Sequence, residues 1–302
     1  MTQAEIESEF HRIVEEDGPW TAASFEVAPG LWTMPPSDWR LSRATFALRN
    51  ACLLLGKPPE ALRILDVGCL EGSMALHMAQ HGSTLVGVEI RQASLRKAEF
   101  VGRALGLDNV TWVQGDMLRL GELRLGTFDL VLCFGTLYHV DAPALVPFIW
   151  SLNAASTGLA IFDTHIAMDA RESYVDPSGV VFRGRSIVEH PQGRSDAKTK
   201  ASRLWASADN DYSFWPTERS LANLLASGGF GPIYRALLPV PEWPWQDRHW
   251  WMAFSSSYVP ARLPLAPAES TRLQDPDPRP LECALLEHAM QRHVRNPSTR
   301  PL

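Results

Sequence analysis

The length, composition and charge of this chain indicate a globular protein with a sizeable core. Its 302 residues, 45% of them hydrophobic, are enough for one catalytic domain with attachments, although the length alone would also allow two domains. The formal net charge of −6 argues against nucleic acid as a general partner, because such binding depends largely on basic side chains that displace counterions from phosphate.

Cysteine usage and hydropathy favour a reducing, aqueous compartment. The four cysteines, Cys52, Cys69, Cys133 and Cys283, show no paired framework. The N-terminal segment is acidic and has no apolar stretch of the kind found in secretion signals, and no apolar run reaches the roughly 18 residues of a membrane span. We therefore expect a soluble, cytoplasmic protein.

Residues 1–60 are predicted to form a helical cap. The pattern favours a helix at residues 3–16, then an extended link, then a helix from about Asp38 to Leu55 that leads into a sheet. Arg40 on the second helix has two interpretations: it contacts a bound ligand, or it is a solvated surface arginine.

An apolar run followed by a glycine-bearing turn occupies residues 62–72, LRILDVGCLEG. The run predicts a buried strand, and Asp66 lies where that strand ends. Gly68 and Gly72 would let the turn backbone approach a ligand without a Cβ clash. The alternative interpretation is an ordinary strand-to-helix turn that contains two glycines.

The next predicted strand, residues 84–90, favours a nucleoside as the ligand. It ends near Glu89, twenty-one residues beyond Gly68, a spacing at which an acidic side chain meets a ribose diol in doubly wound folds. Dinucleotide-binding turns need a middle glycine so that the backbone can approach a pyrophosphate, but position 70 is leucine. NAD is therefore disfavoured.

Strand-like and helical patterns alternate from about residue 60 to about residue 165, which predicts a parallel sheet built from βαβ units. After a long interval without this pattern, the chain adds one more helix and two more strands. The further elements expected are helices at 73–81, 91–107 and 217–230, and strands at 110–117, 128–134, 158–165, 231–239 and 249–258.

The segment LDVGCLEG, residues 65–72, resembles motif I of the class I S-adenosylmethionine-dependent methyltransferases, whose usual form is LDVGCGxG. Leu70 departs from that form, which we interpret as a tightened loop with the site retained. The resemblance covers about residues 36–258. It implies an α/β fold: a doubly wound, mostly parallel seven-stranded sheet of the Rossmann-like type whose last strand is antiparallel.

Three shorter segments refine this resemblance. Residues 37–40, 134–143 and 213–230 look like the branch that contains the tRNA wobble-uridine carboxymethyltransferases and their small-molecule-modifying relatives. The expected domains are a cap at 1–60, a methyltransferase domain at 61–258 with an acceptor lid at about 166–214, and a proline-rich strap with a short helix at 259–302. That last helix has an apolar face, so docking on a second subunit is one expectation.

The resemblance implies S-adenosyl-L-methionine as the cofactor, with the motif I loop around its amino-acid end. Asp116 occupies the position that hydrogen-bonds the adenine amino group in the family, and Met117 supplies the adjacent backbone amide. The expected cofactor-binding residues are Asp66, Gly68, Cys69, Leu70, Gly72, Glu89, Ile90, Arg91, Asp116, Met117, Phe134 and Tyr138.

Polar residues that follow the fourth and fifth predicted strands are candidates for acceptor binding and catalysis. Tyr138, His139, Asp163 and His165 should converge, because ligands bind outside the carboxyl ends of the strands in such sheets. His139 is the first choice of general base and His165 the second, since imidazole titrates near neutrality, and Asp163 would orient either ring. The alternative is that His139 orders its loop through a backbone hydrogen bond.

A metal site made of His139, Asp163 and His165 is disfavoured, because nothing in their spacing fixes them on one helical face. Tryptophans are concentrated after the fifth strand, and Trp205, Trp215, Trp243 and Trp245 either stack on a planar acceptor or fill the core beneath the lid. The basic run from Arg183 to Arg203 either binds an anionic acceptor or is a solvated loop face.

Three functions fit these patterns. The leading one is S-adenosylmethionine-dependent methyl transfer to a small-molecule acceptor, aromatic or anionic in character, in a biosynthetic pathway. The second is a tRNA-modifying methyl- or carboxymethyltransferase, which the finer resemblance favours and the acidic net charge opposes. The third is a non-catalytic nucleoside-binding regulatory protein, which the substitution at Leu70 makes possible.

Overall fold

The structure of the chain is a computed structural model that describes residues 1–36, 38–190, 196–237 and 246–258. For residues 38–42, 197, 198 and 201 it describes the backbone and not the side chains. Predictions for the 259–302 strap and helix, for Cys283, Trp243 and Trp245, and for the side chain of Arg40 therefore lie outside the described residues.

The N-terminal region contains two helices separated by a short hairpin: α1 (Gln3–Asp17), β1 (Glu26–Ala28), β2 (Leu31–Trp32) and α2 (Asp38–Leu55). A capping box starts α1, because the Thr2 side chain accepts a hydrogen bond from the Glu5 amide while the Glu5 carboxylate accepts one from the Thr2 amide. Ile6 and Ile13 bury the inner face of α1. The hairpin lies in the link that the sequence pattern predicted to be only extended.

The central part of the chain alternates strands and helices: β3 (Arg63–Val67), α3 (Ser73–Ala79), β4 (Thr84–Glu89), α4 (Gln92–Ala104), β5 (Val110–Gln114), β6 (Phe128–Phe134), α5 (Ala142–Ala155) and β7 (Ser156–His165). A short 3-10 helix, Pro59–Ala61, precedes β3, and two more lie in the loops after β5 and β6, at Met117–Leu123 and Leu137–His139. The last four residues of β3 are buried, and all of them except Asp66 are apolar, as expected for a strand that helices cover on both faces.

The lid region contains regular structure: β8 (Glu172–Val175), β9 (Val181–Val188), α6 (Ala197–Ser202) and β10 (Tyr212–Pro216). The three strands form a separate antiparallel sheet in the order β10-β9-β8. The sequence pattern missed this sheet. Most of β8 is exposed and β9 carries Arg183 and Arg185, so neither strand shows an apolar run.

The described chain ends with α7 (Glu218–Ser227), β11 (Phe230–Ala236) and β12 (Arg248–Ser255). Thr217 caps α7, as expected, by accepting a hydrogen bond from the Ser220 amide. The main sheet has the order β11-β12-β7-β6-β3-β4-β5, with β12 antiparallel to both of its neighbours. The predicted seven-stranded, mostly parallel sheet is therefore confirmed.

Helices cover both faces of this sheet. Apolar residues of α2 and α3 pack on one face and those of α5 and α7 on the other, each with strand residues in one buried cluster. The carboxyl ends of β3, β4, β6 and β7 consequently meet at one edge, where a ligand can reach the loops between strand and helix. Among the helices that the structure describes, none has the length and hydropathy to cross a membrane.

Candidate active site

The motif I turn holds a backbone that favours glycine. Gly68, Leu70 and Gly72 have φ angles of 69°, 51° and 76°, all in the left-handed region. A Cβ on Gly68 would overlap the side chain of Thr136, so glycine is required there. Leu70 adopts the left-handed backbone at a cost of about 1–2 kcal/mol, and its amide donates a 3.1 Å hydrogen bond to Glu89 Oε2 that offsets part of this cost. The loop is retained despite the substitution.

Two adjoining cavities lie outside the carboxyl ends of the strands. The larger, of about 440 Å³, runs from the motif I turn to Trp205, and the smaller, of about 80 Å³, lies beside Asp116. We call them the large and the small cavity. They share Gly68, Glu89 and His139 among their walls.

Nearly all of the residues predicted to bind the cofactor line one of these cavities. Those on the walls are Asp66, Gly68, Cys69, Leu70, Glu89, Ile90, Arg91, Asp116, Met117, Phe134 and Tyr138. Gly72 differs, because it lies behind the turn, where an added Cβ would overlap Trp112 and press on Ala98. Its role is the close packing of the turn against the sheet rather than the lining of the cavity.

Two carboxylates give the large cavity an acidic end. Glu89 accepts hydrogen bonds from the amides of Leu70 and Arg91, which fix its position. Asp66 is buried, and its Oδ2 has no hydrogen-bond partner among the described residues. Burial, and to a lesser extent the charge of Glu89, raises the pKa of Asp66 to about 7, although a backbone hydrogen bond from Ala75 opposes the shift. A cation or a hydrogen-bond donor in the cavity would satisfy this carboxylate.

The two histidines proposed as bases have different surroundings. His139 lines both cavities. His165 lines neither; its ring stacks on Trp215 at 4.7 Å and lies 3.2 Å from Asp247. Burial, followed by the charge of Arg248, lowers the pKa of His165. His139 is therefore the histidine with access to a ligand.

A partner of His139 comes from the lid. Its Nδ1 lies 2.9 Å from Oε1 of Glu189, which follows β9 and is 50 residues away in sequence. Burial would raise the pKa of Glu189, but the hydrogen bond and charge of His139 and the amide of Ser207 outweigh it, so the pKa is lowered. Sequence analysis missed Glu189, because nothing local distinguishes one acidic residue within a basic run.

Asp163 does not orient either histidine, so that expectation was wrong. Its carboxylate is fully buried and forms ion pairs with Arg43 and Arg248, the latter through two hydrogen bonds of 2.7 and 3.0 Å. Both arginines line the large cavity. The structure also brings Arg43 of α2 to the cavity wall, a residue that sequence analysis did not name; the arginine it did name, Arg40, has a side chain outside the described residues.

The tryptophans divide between the two roles that were left open. Trp205 is 63% exposed and lines the large cavity, as an acceptor-stacking residue would. Trp215 packs on His165 and donates a hydrogen bond to the Tyr138 carbonyl, so it supports the cavity wall from behind. Trp250 is buried against Phe134 and Phe46 and belongs to the core.

Basic residues of the lid have acidic partners. Arg185 lies 3.9 Å from Asp169, and Lys200 lies 2.7 Å from Asp211. Arg91, outside the lid, donates hydrogen bonds to the carbonyls of Arg203 and Ala206, on either side of Trp205. The lid is thus attached to the cofactor end of the cavity through Arg91.

Parts of this chain are similar to known proteins. Residues 64–155 match a family described as "Methyltransferase domain". A ubiquinone biosynthesis O-methyltransferase of Paracidovorax citrulli (strain AAC00-1) is 34% identical over 128 residues, 42% of this chain and 54% of the relative. A protein of the same name from Acinetobacter baylyi is 28% identical over 134 residues, with the same shares. The chain spans about half the length of the curated relatives it matches.

A solved structure extends the likeness to most of the fold. The N-terminal domain of EvdMO1, crystallised with SAH and D-fucose, aligns at a TM-score of 0.64 and 24% identity over 84% of this chain and 98% of that domain. Together with the sheet order, this likeness shows the Rossmann-like α/β fold that the motif I resemblance implied, and residues 64–155 are similar to a methyltransferase domain. The tRNA-modifying branch suggested by the shorter segments stays a prediction.

Proposed function

We propose that this protein transfers a methyl group from S-adenosyl-L-methionine to a hydroxyl oxygen of a small-molecule acceptor. One observation carries the proposal: a single cavity joins the motif I turn and its two carboxylates to an imidazole, His139. The turn and its carboxylates suit binding of the methyl donor, and the imidazole of His139 suits removal of a proton from the acceptor. The names of both curated relatives support oxygen as the acceptor atom and a biosynthetic pathway as the setting.

The residues present fit the cofactor. Bound S-adenosyl-L-methionine supplies an electrophilic methyl group on a sulfonium sulfur. Glu89 would accept hydrogen bonds from a ribose diol, Asp66 would meet the ammonium group of the amino-acid end, and Asp116 and Met117 in the small cavity would contact the base. The buried, unsatisfied oxygen of Asp66 is the structural sign that this cavity needs a cationic or donor ligand.

His139 would handle the acceptor proton. The carboxylate of Glu189 would accept a hydrogen bond from Nδ1 of His139, which leaves Nε2 without a proton. Nε2 can then take the proton as the O–H bond of the acceptor breaks and its oxygen gains the methyl group. Tyr138 and Trp205 would hold the acceptor beside it. Positioning is the larger part of the task, because it supplies about 7–11 kcal/mol at its upper limit, against a hundredfold to ten-thousandfold, about 3–5 kcal/mol, from a general base.

The proposal is tested by incubating the purified protein with methyl-labelled S-adenosyl-L-methionine and fractionated metabolite extract. The label should move with time from the cofactor into a small organic product in one of the fractions. One molecule of S-adenosylhomocysteine should form for each methyl group transferred. Tight binding of the cofactor without any methylated product would instead favour the non-catalytic nucleoside-binding alternative.

Asp66 should link cofactor binding to pH. With a pKa of about 7 in the free protein, Asp66 is largely protonated at pH 6, and the ammonium group of a bound ligand lowers that pKa and expels the proton. Calorimetry of S-adenosylhomocysteine binding at pH 6, in buffers of different ionisation enthalpy, should report release of about 0.9 proton per site. Affinity should rise up to about tenfold per pH unit as pH increases toward 7 and then level off.

Two variants sharpen this measurement. Asp66→Asn should remove the buffer dependence, whereas Asp116→Asn in the small cavity should weaken binding and leave the proton release in place. Equal binding enthalpies in all buffers at pH 6 for the wild-type protein would contradict the role given to Asp66.

A small molecule is favoured over tRNA as the acceptor. The net charge is −6, and Arg185 and Lys200 of the lid are paired with acidic residues. We therefore expect no measurable affinity for bulk tRNA even at low salt, where phosphate contacts are strongest. Salt-sensitive binding would revive the tRNA-modifying alternative. A cytoplasmic location is also part of the proposal, supported by the free thiols of Cys52, Cys69 and Cys133.

A further inference from the structure

The lid converges on the loop that carries His139 from several directions. Phe214 of β10 donates a hydrogen bond from its amide to the Val140 carbonyl, and Asn210 donates one from its side chain to the His139 carbonyl at 3.0 Å. Glu189, at the end of β9, reaches the imidazole itself. Phe214 and Asn210 bind the backbone of the loop and so order it. Glu189 instead binds the imidazole ring, so we look for its role in the state of that ring.

The carboxylate of Glu189 is held on both oxygens. Oε1 lies 2.9 Å from His139 Nδ1, and Oε2 accepts a 2.9 Å hydrogen bond from the Ser207 amide. The side chain is 7% exposed and that of His139 is 17% exposed. A buried carboxylate in such a pair is an acceptor only, so the imidazole must present a proton at Nδ1.

We propose that Glu189 is a positioning residue that holds His139 in the tautomer with a bare Nε2, so that the lid completes the general base. This inference rests on the proposed function, in which His139 takes the acceptor proton. It deepens that function, because the same lid that brings Trp205 to the cavity also sets the protonation state of the base. A carboxylate on the far nitrogen of a catalytic imidazole fixes its tautomer and stabilises the imidazolium that forms.

Other charged groups line the cavities that His139 lines or interact with it electrostatically, and each could contribute to the same effect. They are Glu89 and Arg91 after β4, Asp209 of the lid, Arg43 of α2, His165 of β7 and Arg248 of β12. Among the residues that the structure describes, Glu189 is the side chain that hydrogen-bonds the imidazole. Its removal should therefore have an effect that removal of a neighbouring lid carboxylate does not.

The test uses nitrogen-15 NMR of the histidine rings of the full-length protein, with the His139 signals assigned by their loss in His139→Gln. In the wild type at pH 8 we expect the shifts of a protonated Nδ1 and a bare Nε2. In Glu189→Gln we expect mixed tautomers, because a side-chain amide can either donate a hydrogen bond to a ring nitrogen or accept one from it. Glu189→Asp should restore part of the wild-type tautomer signature.

Glu172→Gln is the matched control. Glu172 lies on β8 of the same lid sheet, accepts a hydrogen bond from Ser186 and is absent from the cavity walls, so its substitution should leave the His139 signals unchanged. Should Glu189→Gln fail to fold, the wild-type spectrum still decides, because a proton on Nε2 at pH 8 overturns the proposal. An unchanged tautomer in folded Glu189→Gln also overturns it.

Calorimetric affinity for S-adenosylhomocysteine separates this proposal from the function on which it rests. Glu189→Gln should bind this product as the wild type does, since Glu189 is not among the residues around the motif I turn. If the wild type does not bind it at all, the proposed function fails, whatever the histidine spectrum shows. If it binds and Nε2 carries the proton, only the role of Glu189 fails.

Discussion

Replacing His139 by glutamine should lower the rate of methyl transfer by about a hundredfold to ten-thousandfold, the usual contribution of a positioned general base. Glutamine keeps the size and hydrogen-bonding capacity of the side chain but cannot take a proton at neutral pH. The affinity for S-adenosylhomocysteine should be retained, because the cofactor end of the cavity is built by the motif I turn, Asp66 and Glu89. The effect should therefore appear in kcat rather than in cofactor binding.

The measurement is the initial rate of label transfer at saturating cofactor, using the acceptor fraction that the metabolite screen yields. His11→Gln is a suitable control, since His11 lies on the exposed face of α1 and is remote in the fold from the cavity walls. Circular dichroism should show both variants folded. A rate within twofold of the wild type (about 0.4 kcal/mol in the barrier) would assign His139 to loop ordering alone.

The cofactor end of the site could be predicted from sequence because its signals are local. The buried run of β3, the turn after it and Glu89 at the end of β4 lie within a short stretch of chain. The residue types in each of them indicate the local backbone conformation directly. The left-handed φ of Gly68 is required by Thr136, which is distant in sequence, but glycine itself marks the position. At this end of the site, the residue types in the sequence and the backbone geometry in the structure therefore indicate the same turn.

The acceptor end could not be predicted in the same way, because its contacts join residues far apart in sequence. Asp163 meets Arg248 only because β12 pairs with β7 in a register that places Arg248 opposite His165. Glu189 meets His139 only because the lid sheet packs on the loop after β6. Strand register of this kind follows from tertiary packing, which one sequence does not reveal.

The sequence also could not indicate which arginine of α2 reaches the site. Arg40 and Arg43 are three residues apart on this helix, so both lie on nearly the same side of it. The structure brings Arg43 to the cavity wall beside Asp163, whereas the side chain of Arg40 lies outside the described residues. The contact of Arg43 depends on how the helix packs on the sheet, which the helical pattern alone does not give.

Replacing Glu71 by alanine should lower the free energy of unfolding by about 3–5 kcal/mol, as removal of one member of a buried ion pair does. Glu71 is fully buried within motif I and lies 3.2 Å from Lys97 Nζ. It also accepts hydrogen bonds from the amides of Thr21, Ala22 and Ala23, of which the Ala22 bond is 2.7 Å long. Alanine would leave these amides without their side-chain acceptor, and it would leave the buried Lys97 ammonium, still bonded to the Pro19 carbonyl, without the carboxylate that balances its charge.

The loss should be greatest where the N-terminal segment meets the motif I turn, because Glu71 is the side chain that joins them. Urea unfolding gives the total effect, and hydrogen exchange should show faster exchange at the amides of residues 21–23. Glu122→Ala is the control: its ion pair with Arg119 is 62–66% exposed, so solvent screens it and its loss should change the stability very little. Equal unfolding midpoints for the two variants would mean that the turn and the N-terminal segment are held together by apolar packing, and that the buried pair adds no stability of its own. Since Ala22 lines the large cavity, the same variant should weaken binding of S-adenosylhomocysteine even where the protein remains folded.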